Sequence, residues 1–167
     1  MEFLIASLLV VFFVWPVFYR GAPFVPTPSG TVEKMIKLAE AKSGEKAVDL
    51  GSGDGRMVIA LAKAGAEAHG YEVNPALVWW SRRKIKQAGL RGRAFIHRKS
   101  FWAEDLSNFD IIALYGVSLM MKRLEKKLER ELKNGARIVS YAFDFPNRKP
   151  EKKEDGIYLY LFSSSRE

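Results

Sequence analysis

No cysteine occurs among the 167 residues, so disulfides, thiolate metal ligation and a cysteine nucleophile are excluded. Histidine is nearly as scarce. His69 and His97 are the only two, both fall in strand-like runs, and they read as strand residues rather than ligands. No metal-binding constellation is visible. Charge is missing from Phe3–Tyr19 altogether. Acids are missing between Arg82 and Lys99, where Arg82, Arg83, Lys84, Lys86, Arg91, Arg93, Arg98 and Lys99 collect. The net charge of +8 is concentrated there. Such a patch attracts polyanions, either nucleic acid or an anionic membrane face.

As a helix, the uncharged run Phe3–Tyr19 reaches ~26 Å at ~1.5 Å per residue, near the lower limit for a ~30 Å hydrocarbon core. Trp15 and Tyr19 sit toward one end, where aromatic rings prefer the interface. Pro16 ends or kinks the helix. A cleaved signal peptide fits poorly, because the start carries Glu2 without Lys or Arg and no small-x-small site follows. A buried or interfacial helix is the plain alternative. The expectation is a single-pass anchor over 1–20, in which Arg20 closes the uncharged run, and a basic domain over 21–167. The positive-inside rule then places that domain in the cytoplasm.

The densest pattern is Ala47-Val48-Asp49-Leu50-Gly51-Ser52-Gly53-Asp54-Gly55-Arg56, with Glu72 further on. An apolar strand runs into glycines spaced by two, a helical pattern starts at Arg56, and a second strand carries an acid near its end. Glycines let a ligand approach the main chain. An acid about 20 residues on suits a pair of ribose hydroxyls, so the unit fits an adenosine-containing cofactor. A dinucleotide fingerprint needs its third glycine at position 56, which is Arg56. The pattern Asp-x-Gly-x-Gly-x-Gly instead resembles motif I of S-adenosylmethionine (SAM) methyltransferases, whose cofactor has no pyrophosphate. The plain alternative is a glycine-rich turn that serves packing alone.

The remaining pattern is coarse but regular. Pro23, Pro26 and Pro28 make an extended connector, and a helix follows to about Lys42. Strands are expected at Lys46–Leu50, Glu67–Val73, Ala94–Arg98, Phe109–Val117, Ala136–Phe143 and Gly156–Phe162. Helices alternate with them at 56–64, 75–88 and 119–133. In the last helix, Met121, Leu124, Leu128 and Leu132 form one apolar stripe. Lys122, Arg123, Glu125, Lys126, Lys127 and Glu129 form its solvated face. Arg148–Asp155 is a charged loop. Strands alternating with helices predict an α/β fold, a Rossmann-like doubly wound and mostly parallel sheet preceded by an N-terminal hydrophobic helix, and the resemblance of the glycine loop to motif I implies that the sheet is of the class I methyltransferase type.

From Phe24 to about Gly156 the chain resembles the small protein-lysine methyltransferases. These include membrane-anchored enzymes acting on the ATP synthase c-subunit and the adenine nucleotide translocase, and archaeal enzymes of broad specificity. The resemblance rests on Pro23-Phe24-Val25-Pro26-Thr27-Pro28, on Val48 through Arg56, on Gly70-Tyr71-Glu72-Val73-Asn74-Pro75 with Leu77-Val78-Trp79, and on Leu124 through Leu132. It implies seven strands with SAM at the carboxyl ends of strands one, two and four. It departs from the family at Lys99-Ser100-Phe101-Trp102, where relatives often have Asp or Asn facing adenine. The short charged segment after strand five implies a vestigial strand six. Phe143-Asp144-Phe145-Pro146 matches in type rather than in detail.

On this reading Asp49 and the loop Gly51, Ser52, Gly53, Asp54 and Gly55 hold the methionine end. Glu72 accepts from both ribose hydroxyls, and Asn74 buttresses that acid or reaches the ribose edge. Ser100 can hydrogen-bond the adenine, Phe101 or Trp102 packs on it, and Pro26 and Thr27 fold over the cofactor as a lid. Tyr115 and Gly116 line the substrate channel, and Asp144 orients the incoming ammonium. Plain strand-end packing is the alternative for Tyr115 and Asp144. The expected partners are lysine-bearing proteins at or near the membrane, with no metal. A lipid head-group amine methyltransferase would suit the same anchor. A nucleic-acid methyltransferase fits less well, because Tyr115-Gly116-Val117-Ser118 lacks the Asn/Asp-Pro-Pro-aromatic signature. A SAM-binding factor without turnover is the remaining rival.

Overall fold

A strand with helices on both sides of its sheet is buried on both faces, as parallel strands are, and β1 (Lys46–Leu50) is buried from Ala47 to Leu50. The computed structural model describes residues 24–116 and 118–163. The expected anchor over 1–20 lies outside the described residues, among which no helix is long and apolar enough to cross a membrane. The element order is α1 (Ser29–Ala39), β1, α2 (Arg56–Lys63), β2 (Glu67–Tyr71), α3 (Pro75–Gln87), β3 (Ala94–His97), a 3-10 turn at Phe101–Ala103, β4 (Ile111–Tyr115), α4 (Ser118–Glu131), β5 (Arg137–Tyr141), β6 (Lys152–Glu154) and β7 (Ile157–Leu161).

The seven strands form one sheet in the order β3-β2-β1-β4-β5-β7-β6. Strands β1 to β5 are parallel, while β7 runs antiparallel to β5 and β6 antiparallel to β7. The chain winds outward from β1 in both directions, so a crevice opens above the carboxyl ends of β1 and β4, the usual ligand position in such sheets. Register sets Asp49 opposite Gly70 on one side and Ala113 on the other.

The two sheet faces are covered unequally. Helices α1, α2 and α3 close one core through Met35, Leu61, Val78 and Ile85. The other is closed by α4, through Met121, Leu124 and Leu128, with Leu106, Phe109 and Phe145. The apolar stripe of α4 is buried as its spacing predicts. Its expected solvated face is not uniformly solvated: Glu125 is 3% exposed and Lys127 6%. Lys127 Nζ donates to Glu104 O and to Glu131, both at 2.7 Å. Glu125 accepts from Asn147 Nδ2 at 2.9 Å, and Arg123 lies 4.3 Å from the Trp102 ring centroid. Among the described residues no second helix packs beside α4. The loops at 101–109 and 143–148 close over its flanks instead, and its charged residues serve as their partners.

Element ends also differ from the pattern. Strand β2 stops at Tyr71, because Glu72 turns its carboxylate onto neighbouring backbone. Strand β4 starts at Ile111, since Phe109 is buried from a turn closed by its own N–H to Leu106 O. Helix α1 ends at Ala39, with Glu40 in the left-handed region. The expected vestigial strand six is a three-residue exposed edge strand, β6, inside the charged segment. His69 and His97 are strand residues hydrogen-bonded to each other (Nδ1 to Nε2, 2.9 Å). Their rings are nearly parallel, with centroids 5.2 Å apart.

Candidate active site

The loop that leaves β1 is fastened to the end of β2. Gly51 and Ser52 both donate their N–H to Tyr71 O, at 3.0 and 2.9 Å, and Gly55 N–H closes onto Ser52 O at 2.8 Å. Two glycines are required by contact. A Cβ on Gly70 would sit 2.6 Å from Ser52 Cβ and Oγ and 2.8 Å from Val58 Cγ2. Gly55 is left-handed (φ 79), and a Cβ there would sit 2.8 Å from Ser81 Cβ. The first lets the loop fold onto β2, and the second lets α3 pack beneath it. Ser52 Oγ is buried without a hydrogen-bond partner among the described residues.

Glu72 joins the two halves of the crevice. Its Oε2 accepts from Gly53 N–H at 2.9 Å and its Oε1 from Asn74 N–H at 2.7 Å. Each oxygen keeps a further lone pair for a ligand hydroxyl. The Asn74 side chain caps α3 by accepting from Ala76 N–H at 2.9 Å, so its buttressing of Glu72 runs through its backbone. Pro75 then starts the helix where a missing N–H costs nothing.

Asp54 has a different surrounding from the rest of the loop. Arg56 pairs with it bidentately, Nε to Oδ1 and Nη2 to Oδ2, both at 2.9 Å, and Lys84 Nζ reaches Oδ2 at 2.7 Å. Burial raises the Asp54 pKa, but the hydrogen bonds from Arg56 and Lys84 outweigh it and hold the carboxyl at about 2. Arg56 Nη1 also donates to Thr27 O at 2.7 Å. One arginine thus clamps the Pro26-Thr27 entry to the loop, while Lys84 clamps α3 to the same carboxylate. The Phe24 ring lies over Gly53, its Cε2 2.7 Å from where a Cβ would stand. Sequence reasoning missed Arg56, Lys84 and Phe24. The Asp-Gly-Arg spacing was the available signal for the first, since so close a pair can chelate one another.

Asp49 is buried at 7% exposure. Burial raises its carboxyl pKa to about 7, with the Glu72 and Asp54 carboxylates pushing the same way. The space beside Gly51 is open, with no atom within 4 Å of its Cβ position. A buried acid among acids, beside an open backbone bend, suits a cationic group. SAM carries an ammonium, a sulfonium and a ribose diol, so Asp49, Gly51 and Glu72 fit it in charge and in hydrogen-bonding type.

The remaining expected residues sit at other strand ends. Ser100 precedes the 3-10 turn and is exposed, and its side chain makes no cap to the turn. Phe101 packs against Trp102, with ring centroids 4.7 Å apart. Tyr115 ends β4 beside Tyr141 of β5, its register partner, with rings 4.9 Å apart at 59°. Tyr141 was not anticipated. Asp144 is exposed in the turn after β5. Ala142 in that turn is left-handed (φ 67), and Ser140 Oγ donates to Phe143 O at 2.6 Å.

A family model described as the ANTKMT methyltransferase domain matches residues 49–152. The ATP synthase c-subunit lysine N-methyltransferase of Rattus norvegicus is 42% identical over 148 residues, 86% of this chain and 68% of that protein. The chain spans 60% of the length of the mouse counterpart and 63% of the human one. The protein-lysine N-methyltransferase of Saccharolobus islandicus is 33% identical over 86% of this chain and 96% of its own length. Among solved structures, an RNA methyltransferase from Salinibacter ruber in complex with S-adenosyl-L-homocysteine superposes with a TM-score of 0.79 at 31% identity, covering 82% of this chain and 93% of that one. Topology, crevice and sequence agree, and the chain belongs to the ANTKMT methyltransferase domain family of SAM-dependent methyltransferases.

Proposed function

We propose that this protein transfers methyl groups from SAM to lysine side chains of protein substrates. The carrying observation is the match to the Saccharolobus protein-lysine N-methyltransferase over 96% of that protein's length. When bound, SAM supplies an activated methyl on a sulfonium leaving group. The protein's part is alignment and desolvation. In this reading Asp49 and the 51–55 loop hold the methionine end, with the loop kept in shape by the Asp54 clamp. Glu72 accepts from the ribose hydroxyls while its Gly53 and Asn74 bonds fix its orientation. Phe101 or Trp102 packs on adenine, with Ser100 at its edge, and Pro26-Thr27 covers the cofactor.

The acceptor must be a neutral amine. With a reference pKa of about 10.4, only roughly one lysine in a few thousand is neutral at pH 7, a handicap of about 4 to 5 kcal/mol. Tyr115 and Tyr141 form an aromatic wall that favours the uncharged form by desolvation. Asp144 orients the ammonium before its proton leaves. We further propose that residues 1–20 anchor the chain by a single pass, that 21–167 form the catalytic domain on the cytoplasmic side, and that its substrates lie at or near the membrane.

RNA methylation is the second reading. It is favoured by the name of the Salinibacter structure and by the basic run Arg82–Lys99. Incubating the full-length protein with methyl-labelled SAM and a cell extract, then separating protein, lipid and RNA, decides between them. Label on protein, located on lysine by mass spectrometry, is the expected outcome. Label confined to RNA or lipid replaces the substrate. No label, with SAM still bound, leaves a binding factor.

A further inference from the structure

Helix α3 presents aromatic rings to solvent where a soluble helix would carry polar side chains. Trp79 is 66% exposed and Trp80 44%. They are the fifth and sixth residues of a helix that starts at Pro75, so they lie only ~8 to 9 Å along its axis from Asn74. That keeps both residues within two turns of the end of α3 that faces the crevice. The helix has no acid, and its outward cations are Arg83 and Lys86, at helical spacing from Trp79. Arg83 lies 5.9 Å from the Trp79 ring centroid. Arg82 and Lys84 are committed inward, to Ile96 O and Asp54.

The rim continues through the entry segment. Phe24 and Val25 are exposed at 42% and 58%. Asp54 links the two patches, since it binds Lys84 of α3 and also Arg56, which holds Thr27 O. Five residues before Phe24, the uncharged run Phe3–Tyr19 ends in the sequence, so a bilayer that held the run, as proposed above, would meet the protein at this edge. Indole rings bordered by cations match the chemistry of an anionic lipid interface. Exposed aliphatic Val25 has no use in binding RNA and has one in an acyl boundary.

We propose that the Trp79–Trp80–Arg83–Lys86 face of α3, with Phe24 and Val25, docks on an anionic lipid surface and sets the mouth of the site against it. The inference deepens the reading of a methyltransferase acting at a membrane and rests on it. In full-length protein carrying Trp15→Phe and Trp102→Phe, the remaining indoles are Trp79 and Trp80. Their fluorescence is measured with vesicles of brominated phosphatidylcholine, with and without brominated phosphatidylserine. The expected result is quenching at least roughly twofold greater on the anionic vesicles, lost above ~0.5 M salt and lost when Arg83→Glu/Lys86→Glu is added, while SAM affinity by calorimetry matches that of the same Trp15→Phe/Trp102→Phe protein without the charge reversals. Equal quenching on both vesicles, or none on either, overturns the proposal. So does an emission shift with single-stranded RNA where anionic vesicles give none. Retention of the protein on neutral vesicles reports the N-terminal segment separately, so loss of that anchor leaves the α3 result intact. The extract-labelling experiment likewise decides the activity independently.

Discussion

Replacing Asp49 by Asn should stabilise the ligand-free protein and weaken its hold on SAM. The Asp49 carboxyl is raised from 3.8 to about 7, chiefly by burial and then by Glu72 and Asp54. Between these values the native state holds a proton that the unfolded chain has released, so stability falls as pH rises through that window. A shift of about three units at ~1.4 kcal/mol each gives an upper bound of about 4 kcal/mol at pH 8. At pH 4.5 the same reasoning gives only about 1 kcal/mol. For a domain of this size that corresponds to a Tm gain of roughly 10 °C at pH 8. The Asn carries no charge for a cationic ligand to neutralise, so SAM affinity should fall at least about tenfold. Wild-type affinity should weaken as pH drops below about 7, and the variant's should be nearly flat. Thermal melts at pH 4.5 and 8 and calorimetry across that range test both halves. Equal melting gains at the two pH values, or a variant that binds SAM as tightly as wild type, would refute the view that Asp49 is a strained acid awaiting a cation.

Glu72→Ala removes the acceptor of the Gly53 and Asn74 N–H groups as well as the proposed ribose contact. SAM binding should weaken by about 2 kcal/mol or more by calorimetry, and an unchanged dissociation constant removes Glu72 from that role. Arg56→Ala leaves the buried Asp54 with Lys84 alone and frees Thr27 O, so denaturant unfolding at pH 7 should show a loss of about 2 kcal/mol. Because the Asp54 carboxyl is held at about 2, its contribution is present above about pH 4 and fades as pH falls toward 2, where wild type and variant should converge. Gly70→Ala forces Ser52 and Val58 apart. It should lower stability by roughly 1 to 3 kcal/mol and weaken SAM binding, and a variant that melts and binds like wild type would contradict the close approach. Lys127→Met removes the donor to Glu104 O and Glu131, and hydrogen exchange should quicken in the 101–109 loop while β1 and β2 are unaffected.

Local physics decided most of the chain's outline. The ends of β1 follow from the apolar run that stops at Gly51, and α3 starts at Asn74-Pro75 because a capping side chain and a preset φ need only their neighbours. The spacing Gly51, Gly53, Gly55 and the acid at Glu72 marked the crevice, because close backbone approach leaves its mark in which residues are small. The same reasoning misjudged α4, where helical spacing put Glu125 and Lys127 in solvent. Their burial depends on loops that close on the helix from residues 104–106 and 147, which no periodicity within α4 encodes. The site's clamp was equally hidden. Arg56 meets Thr27 across 29 positions and Lys84 meets Asp54 across 30, distances that a crossover connection spans and a local pattern cannot. Gly70 and Ser52 are neighbours only because β1 and β2 lie side by side in parallel, and Tyr141 joins Tyr115 only through the β4–β5 register. The sequence alone therefore determined which segments form the sheet and where glycines leave its backbone open. The tertiary structure decided which charges are buried and which partners hold the loop, because parallel pairing makes neighbours of residues that the chain keeps far apart.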